Sequence, residues 1–264
     1  MTDSILSRRE GALARLTFNR PASLNAMGFE MGRRWRDLAR EVTSDPTVGA
    51  VLLDAEGPAF CAGGDVLEMA TSGAGGAEVT AMAEIIHEGI RSFIESDKPI
   101  VASVHGAVAG GGIGLMLTAD YVVASPRAKF VSRYANIGLT PDLGVSTLLA
   151  AAVGQTRALR LLLQDETIDA ATALDWGLVT EVADDPGARA AEIARFWLEN
   201  ATAAFGQAKR LLRAGARRAF AQNLSDEART IGAAFDTDQA RARVAAFAAA
   251  SRKSTSARTS EENA

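Results

Sequence analysis

Two stretches of small residues carry the most pointed chemistry in this sequence: Ala59-Phe60-Cys61-Ala62-Gly63-Gly64-Asp65, and the run from Gly106 to Leu115 that contains Gly110-Gly111-Gly112-Ile113-Gly114. Glycine leaves main-chain N–H groups open to a ligand with no Cβ in the way, and a helix starting at such a run adds partial positive charge. One run alone could cradle a phosphate or an oxyanion. Equally, it could be the close packing of a helix on a sheet, which also selects small residues. Two runs suit a further task, because two peptide N–H donors from separate loops can converge on one developing oxyanion and lower its energy by several kcal/mol.

The nucleotide alternatives fail on spacing. No frame around Gly110–Leu115 supplies G-x-G-x-x-G, and no lysine follows the glycines as a phosphate-binding loop requires. His87 and His105 are the only histidines, and no ligand-type cluster surrounds either, so no metal site is expected. His87 is expected on a helix surface and His105 at a strand end. Cys61 is the single cysteine, which excludes an intrachain disulfide. No basic neighbour in sequence argues for a thiolate, so its expected role is a small buried side chain.

With 264 residues, 48% of them hydrophobic, the chain has ample material for a large core, and a net charge of −4 gives no footprint for nucleic acid. No run of apolar residues is long enough for a membrane span, and the start Met-Thr-Asp-Ser lacks a signal core. A cytoplasmic protein is the expectation.

The elements that must position the glycine loops follow from periodicity. Ser4–Arg9 and Ala12–Phe18 alternate around Glu10-Gly11 as a hairpin. Met27–Val42 has helical spacing, Val48–Asp54 reads as a strand, Thr71–Ala77 as a mobile loop, and Glu78–Ile94 as a helix. Strands are expected at Ile100–Val104, Tyr121–Ala124 and Ala128–Val131. From Val145 the pattern is helical: Ser146–Val153, Thr156–Leu163, Ala170–Trp176, Gly187–Asn200, Thr202–Ala221 and Leu224–Ala250. These last helices have few large apolar residues, and the polar end Ser251–Ala264 reads as a disordered tail.

Four motifs in register then resemble one family. Asn19-Arg20-Pro21, Leu24-Asn25-Ala26-Met27, Ala59 to Asp65, and Ala109-Gly110-Gly111-Gly112 with Leu115 and Asp120 resemble the crotonase superfamily, the enoyl-CoA hydratase/isomerase family, over about residues 4 to 185. The resemblance implies an α/β spiral of ββα repeats with a C-terminal helical region: a core over residues 1–199 with an acyl-CoA site, a helical trimerisation region over 200–250, and the tail over 251–264. It implies an oxyanion hole from the N–H groups of Gly64 and Gly111. It also implies coenzyme A, as part of the substrate and with no separate cofactor, lying near Leu24–Met27 and Ala62–Gly64, with Asp65, Val66, Leu67 and Gly110 beside it. Asn25 and Asp65 would brace these loops as turn and cap residues, and Asp120 would be structural. The partner set is then a thioester substrate and further copies of the chain, as a homotrimer or dimer of trimers, without nucleic acid or membrane.

Departures from the family pattern narrow the expected chemistry. Hydratases of the family carry two glutamates, and Gly114 and Tyr134 stand at the matching positions here. Neither is a carboxylate base. Ile137-Gly138-Leu139-Thr140-Pro141-Asp142-Leu143-Gly144 supplies one acid, Asp142, at a position where family isomerases hold a catalytic aspartate and a dehalogenase branch its nucleophile. Its other reading is a Pro-Asp turn capping the helix from Val145. Burial beside an acyl pocket would raise its pKa and suit it to shuttling a proton. Tyr134 would line that pocket or donate a hydrogen bond. Glu68, Glu84 and Glu88 are expected to be solvated on helix surfaces. The expected activity is enoyl-CoA isomerisation; the alternatives are acyl-CoA hydrolysis or hydration, and a CoA-thioester binder without catalysis.

Overall fold

Strand β1 (Ile5–Glu10) turns back through Gly11 onto β2 (Leu13–Phe18), antiparallel and in register from Ile5 opposite Phe18 to Glu10 opposite Leu13. In the computed structural model, which describes residues 3–73, 75–215, 238 and 242, the chain continues through α1 (Phe29–Ser44), β3 (Ala50–Ala55), α2 (Val66–Thr71), α3 (Gly76–Glu95), β4 (Ile100–Val104), β5 (Ala107–Ala109) and α4 (Gly111–Met116). Then come β6 (Tyr121–Ala124), β7 (Lys129–Val131), α5 (Val145–Val153), α6 (Gln155–Gln164), β8 (Ile168–Asp169), α7 (Ala170–Trp176), β9 (Glu181–Val182), α8 (Pro186–Glu199) and α9 (Thr202–Gly215).

One sheet runs β1-β2-β3-β4-β6-β9, parallel from β2 onward, and a smaller one runs β5-β7-β8. Strands β3 and β4 are apolar apart from Asp54 and Ser103 because both faces are covered. Side chains alternate between faces, so Val51, Leu53, Ile100 and Ala102 enter the main core. Leu52 and Val101 pack instead with Ala190, Ile193 and Ala194 of α8 on the other side. On the main side, Phe18, Trp35, Phe60 and Phe93 interlock as tilted ring pairs with centroids 4.9 to 5.9 Å apart. Helices α1 and α3 lie close because Gly89 leaves room for the Trp35 indole, 2.6 Å from where a Cβ would stand.

The chain divides into two compact units, Met1–Thr202 and Ala203–Ala264. The expected helix at Leu224–Ala250 and tail at Ser251–Ala264 lie outside the described residues, apart from 238 and 242. Some short elements are not marked by periodicity. Strand β5 stands between β4 and α4, within the glycine run, and anchors the second sheet. Residues 66–71 are helical, a turn too short for periodicity to reveal and fixed instead by its cap at Asp65. Strands β8 and β9, two residues each, are likewise too short to leave a periodic pattern. No helix among the described residues is long and apolar enough to cross a membrane.

Candidate active site

The two glycine stretches meet through backbone pairing. Cys61 N–H donates to Ala107 O at 3.3 Å and Ala109 N–H returns a bond to Cys61 O at 2.9 Å, which lays the first loop alongside β5. Gly63 follows with φ +97°; a Cβ there would stand 2.8 Å from Ala109 O and 3.4 Å from Gly111 N, so only glycine lets the loops touch. Gly112 is pressed against Cys61 O in the same way. On its other side the first loop is bonded to Met27, through Met27 N–H to Gly63 O at 2.7 Å and Asp65 N–H to Met27 O at 3.1 Å. The trans peptide that turns Gly63 O toward Met27 turns the Gly64 N–H the opposite way. Gly111 opens α4, where an N–H has no intrahelical acceptor. The two N–H groups expected to serve as donors therefore stand on touching loops.

The Leu24–Met27 segment is a brace. Asn25, fully buried, accepts from Arg20 N at 2.7 Å and donates to Glu56 O and Ala59 O, both at 2.8 Å. It adopts φ +56°, after Leu24 at +50°, a conformation Asn tolerates better than other side chains. Asp65 caps α2 through Glu68 N at 3.0 Å and pairs with Arg20 at 2.9 Å. Burial pushes this carboxyl up, but the Glu68 N–H, the Arg20 guanidinium and the Leu67 N–H outweigh it and hold Asp65 below the ordinary range. Asn25, Ala26 and Met27 bury their side chains, so only backbone and the half-exposed Leu24 face outward. Val66 and Leu67 are exposed, and Leu67 joins Asp65, Arg20, Ser23 and Gly28 around an open cleft of about 360 Å³. Asp120 accepts from Ile100 N at 3.0 Å, tying β4 to the start of β6.

The acid stands beside Gly111. Asp142 Oδ1 is 3.4 Å from where a Gly111 Cβ would be and accepts from the Tyr134 hydroxyl at 2.6 Å. It does not cap α5: the first residue before that helix is Gly144, with no side-chain cap, and only the Asp142 backbone carbonyl bonds Val145 N. Burial raises the Asp142 carboxyl above the usual range, and the Tyr134 hydrogen bond and the nearby His87 ring offset that only in part. Tyr134 is buried, and burial together with the neighbouring carboxylate keeps its hydroxyl protonated as a donor. Ala62 and Gly110 complete the rim, with Gly110, at φ +50°, 3.9 Å from the Tyr134 ring at its Cβ position. A Cβ on Gly114 would run into the Leu143 carbonyl, so a side chain there would have to displace that segment.

Two expectations change here, those for His87 and Glu68. His87 is not a surface residue: it is half-buried, and its Nε2 accepts the Leu143 N–H at 3.1 Å. Its sequence signal was its position three residues before Ile90 and seven before Ile94, both buried on α3. Glu68 is not simply solvated but accepts from Phe29 N at 3.1 Å, at the start of α1. Glu88 pairs with Arg40 at 2.8 Å on the exposed surface. Cys61 is buried, and burial lifts its thiol to about 12, so it is no thiolate. Among the described residues, no three His, Cys, Asp or Glu side chains are grouped to hold a metal ion.

Parallel strands feeding two touching glycine loops fit the crotonase class of α/β fold. The model of the enoyl-CoA hydratase/isomerase family matches residues 8–254, and the chain belongs to that family. It is 34% identical over 187 residues, 70% of this chain and 71% of the relative, to a 1,2-epoxyphenylacetyl-CoA isomerase of Escherichia coli K12. It is 32% identical over 182 residues, 68% and 69% of the two chains, to a trans-2-decenoyl-[acyl-carrier-protein] isomerase of Streptococcus mutans. Among solved structures, an enoyl-CoA hydratase from Polaromonas sp. JS666 superposes with a TM-score of 0.85 at 32% identity, over 93% of this chain and 96% of that one. Relatives thus carry both isomerase and hydratase names.

Proposed function

We propose that this enzyme is an enoyl-CoA isomerase that moves a C=C bond with Asp142 as its single acid–base group. The observation that carries this reading is the Asp142 carboxylate, raised by burial, hydrogen-bonded to Tyr134 and set against Gly111, while Gly114 leaves no room for a second acid. With a 3-enoyl thioester bound, Asp142 takes a proton from C2. The electron pair of that C–H bond passes into the thioester carbonyl, giving a dienolate whose oxygen is held by the Gly64 and Gly111 N–H groups. The carboxylic acid then returns the proton to C4, and the product is the 2-enoyl thioester. A base with a raised pKa matches this carbon acid better than an ordinary aspartate does. The isomerase names of two relatives agree with this direction.

Coenzyme A is here part of the substrate, seated along the Leu24–Met27 backbone and the Ala62–Leu67 segment, with Gly110 and Tyr134 closing the acyl end. The reaction as written balances without a separate cofactor. Assembly as a homotrimer or dimer of trimers belongs to the same proposal. Incubation of 2- and 3-enoyl-CoA substrates of several lengths in D2O tests it: deuterium should enter at C2 and C4 in the wild type and at neither in Asp142→Asn. Water addition, or release of free CoA, without label at C4 would overturn the reading in favour of hydration or hydrolysis.

A further inference from the structure

Leu143 holds φ +47°, a left-handed conformation unfavourable for a branched side chain, immediately after the proposed base. Such a conformation persists only where its surroundings fix it. Three contacts do so. The Leu143 N–H donates to His87 Nε2 at 3.1 Å, the carbonyl abuts Gly114, and the side chain, 2% exposed, covers Gly111 with Cδ1 2.6 Å from its Cβ position. The first contact is polar and comes from a different element, α3. The peptide it grips is the one joining Asp142 to Leu143, so its orientation sets where the Asp142 side chain leaves the backbone.

We infer that His87 is a positioning residue for Asp142, holding the Asp142–Leu143 peptide through a neutral ring protonated on Nδ1. An amide N–H can only donate, so Nε2 must present its lone pair, and a neutral ring then carries its proton on Nδ1. A doubly protonated ring would turn an N–H toward an N–H. His105 supplies an internal contrast: its Nε2 lies 2.8 Å from Gly57 O, an acceptor only, so that ring is protonated on Nε2. The only two histidines of the chain are thus assigned opposite tautomers. The role assigned to His87 rests on Asp142 being the base.

The test has two parts. Nitrogen-15 histidine spectra of the wild-type enzyme at pH 8, assigned with His105→Asn, should show His87 in the Nδ1–H form and His105 in the Nε2–H form. Kinetically, His87→Leu should lower kcat for C2 exchange about 10- to 100-fold, the scale of a small misplacement of a catalytic group. KM should stay within about twofold, as for an interaction that acts on the transition state. His87→Gln, whose amide oxygen can take the same N–H, should recover kcat to within about threefold of wild type. An Nε2–H or doubly protonated His87, an unchanged kcat in His87→Leu, or a Gln variant no better than the Leu variant would overturn the inference. Should His87→Leu fail to fold, the tautomer on the native enzyme decides. Normal exchange in Asp142→Asn would instead remove the base itself, a failure separate from that of His87.

Discussion

Two aspartates flank the paired glycine loops, and the fold treats them oppositely. Asp65 closes the first loop with its carboxylate committed to the Glu68 N–H and to Arg20, and it sits below the ordinary range. Asp142 adjoins the second loop with a tyrosine hydroxyl as its partner, and burial holds it above that range. One carboxylate is spent on holding a loop in place; the other is kept able to change its charge. The difference lies in the donors supplied, a cation and amides in one case and a neutral phenol in the other.

The largest effect expected from this contrast is on activity. Asp142→Asn should lower C2 exchange about a thousandfold, the range for loss of a general base, whereas Asp65→Asn should retain exchange. Stability should respond with opposite signs. A carboxyl whose folded pKa is raised contributes stability below its unfolded pKa and loses that contribution as pH rises through the folded value. Asp142→Asn should therefore raise the melting temperature at pH 7, with the gain shrinking in acid. Asp65, with a lowered pKa, contributes above its unfolded value and loses that as pH falls. Asp65→Asn should cost about 1–3 kcal/mol at pH 7, fading in acid, as read by denaturant titration at several pH values.

The bracing side of the comparison is sharpened by Asn25. Its three hydrogen bonds all reach backbone groups, and removing the amide would leave those groups buried without partners. Asn25→Ala should lower unfolding free energy by about 3 kcal/mol. Gly114→Ala should cost about 1–3 kcal/mol as overpacking against the Leu143 carbonyl. It should also lower kcat by shifting the Asp142 segment. A Gly114→Glu variant that gained hydratase activity would contradict the packing described here.

Much of this was legible in the sequence, for identifiable reasons. The two touching loops were visible because close backbone approach leaves glycine as its mark, and β3 and β4 because strands covered on both faces are mostly apolar. The Pro141-Asp142 acid was visible from its residue type, while its freedom from capping α5 needed coordinates, since Gly144 intervenes. The half-burial of His87 was legible in its spacing to Ile90 and Ile94, but its partner, a backbone N–H 56 residues away, leaves no trace in local spacing. Glu68 failed for the same reason, its acceptor role at Phe29 lying 39 residues off. Local patterns reveal what an element buries; they do not reveal which distant peptide a polar side chain will meet.

The smallest effect separates the two aspartates most cleanly. Tyr134→Phe removes a donor to the charged form of Asp142 and leaves the ring in place, so the Asp142 pKa should rise further. Because the ionised carboxylate is the active form, the acid limb of the kcat/KM profile should move to higher pH, while the plateau falls about threefold to tenfold for one lost hydrogen bond. Asp65→Asn should leave that limb in place, because Asp65 bonds Arg20 and the start of α2 rather than the Asp142–Tyr134 pair. A limb that moves equally in both variants would mean that the two carboxylates titrate as one network. One that moves in neither would place the controlling acid elsewhere than Asp142.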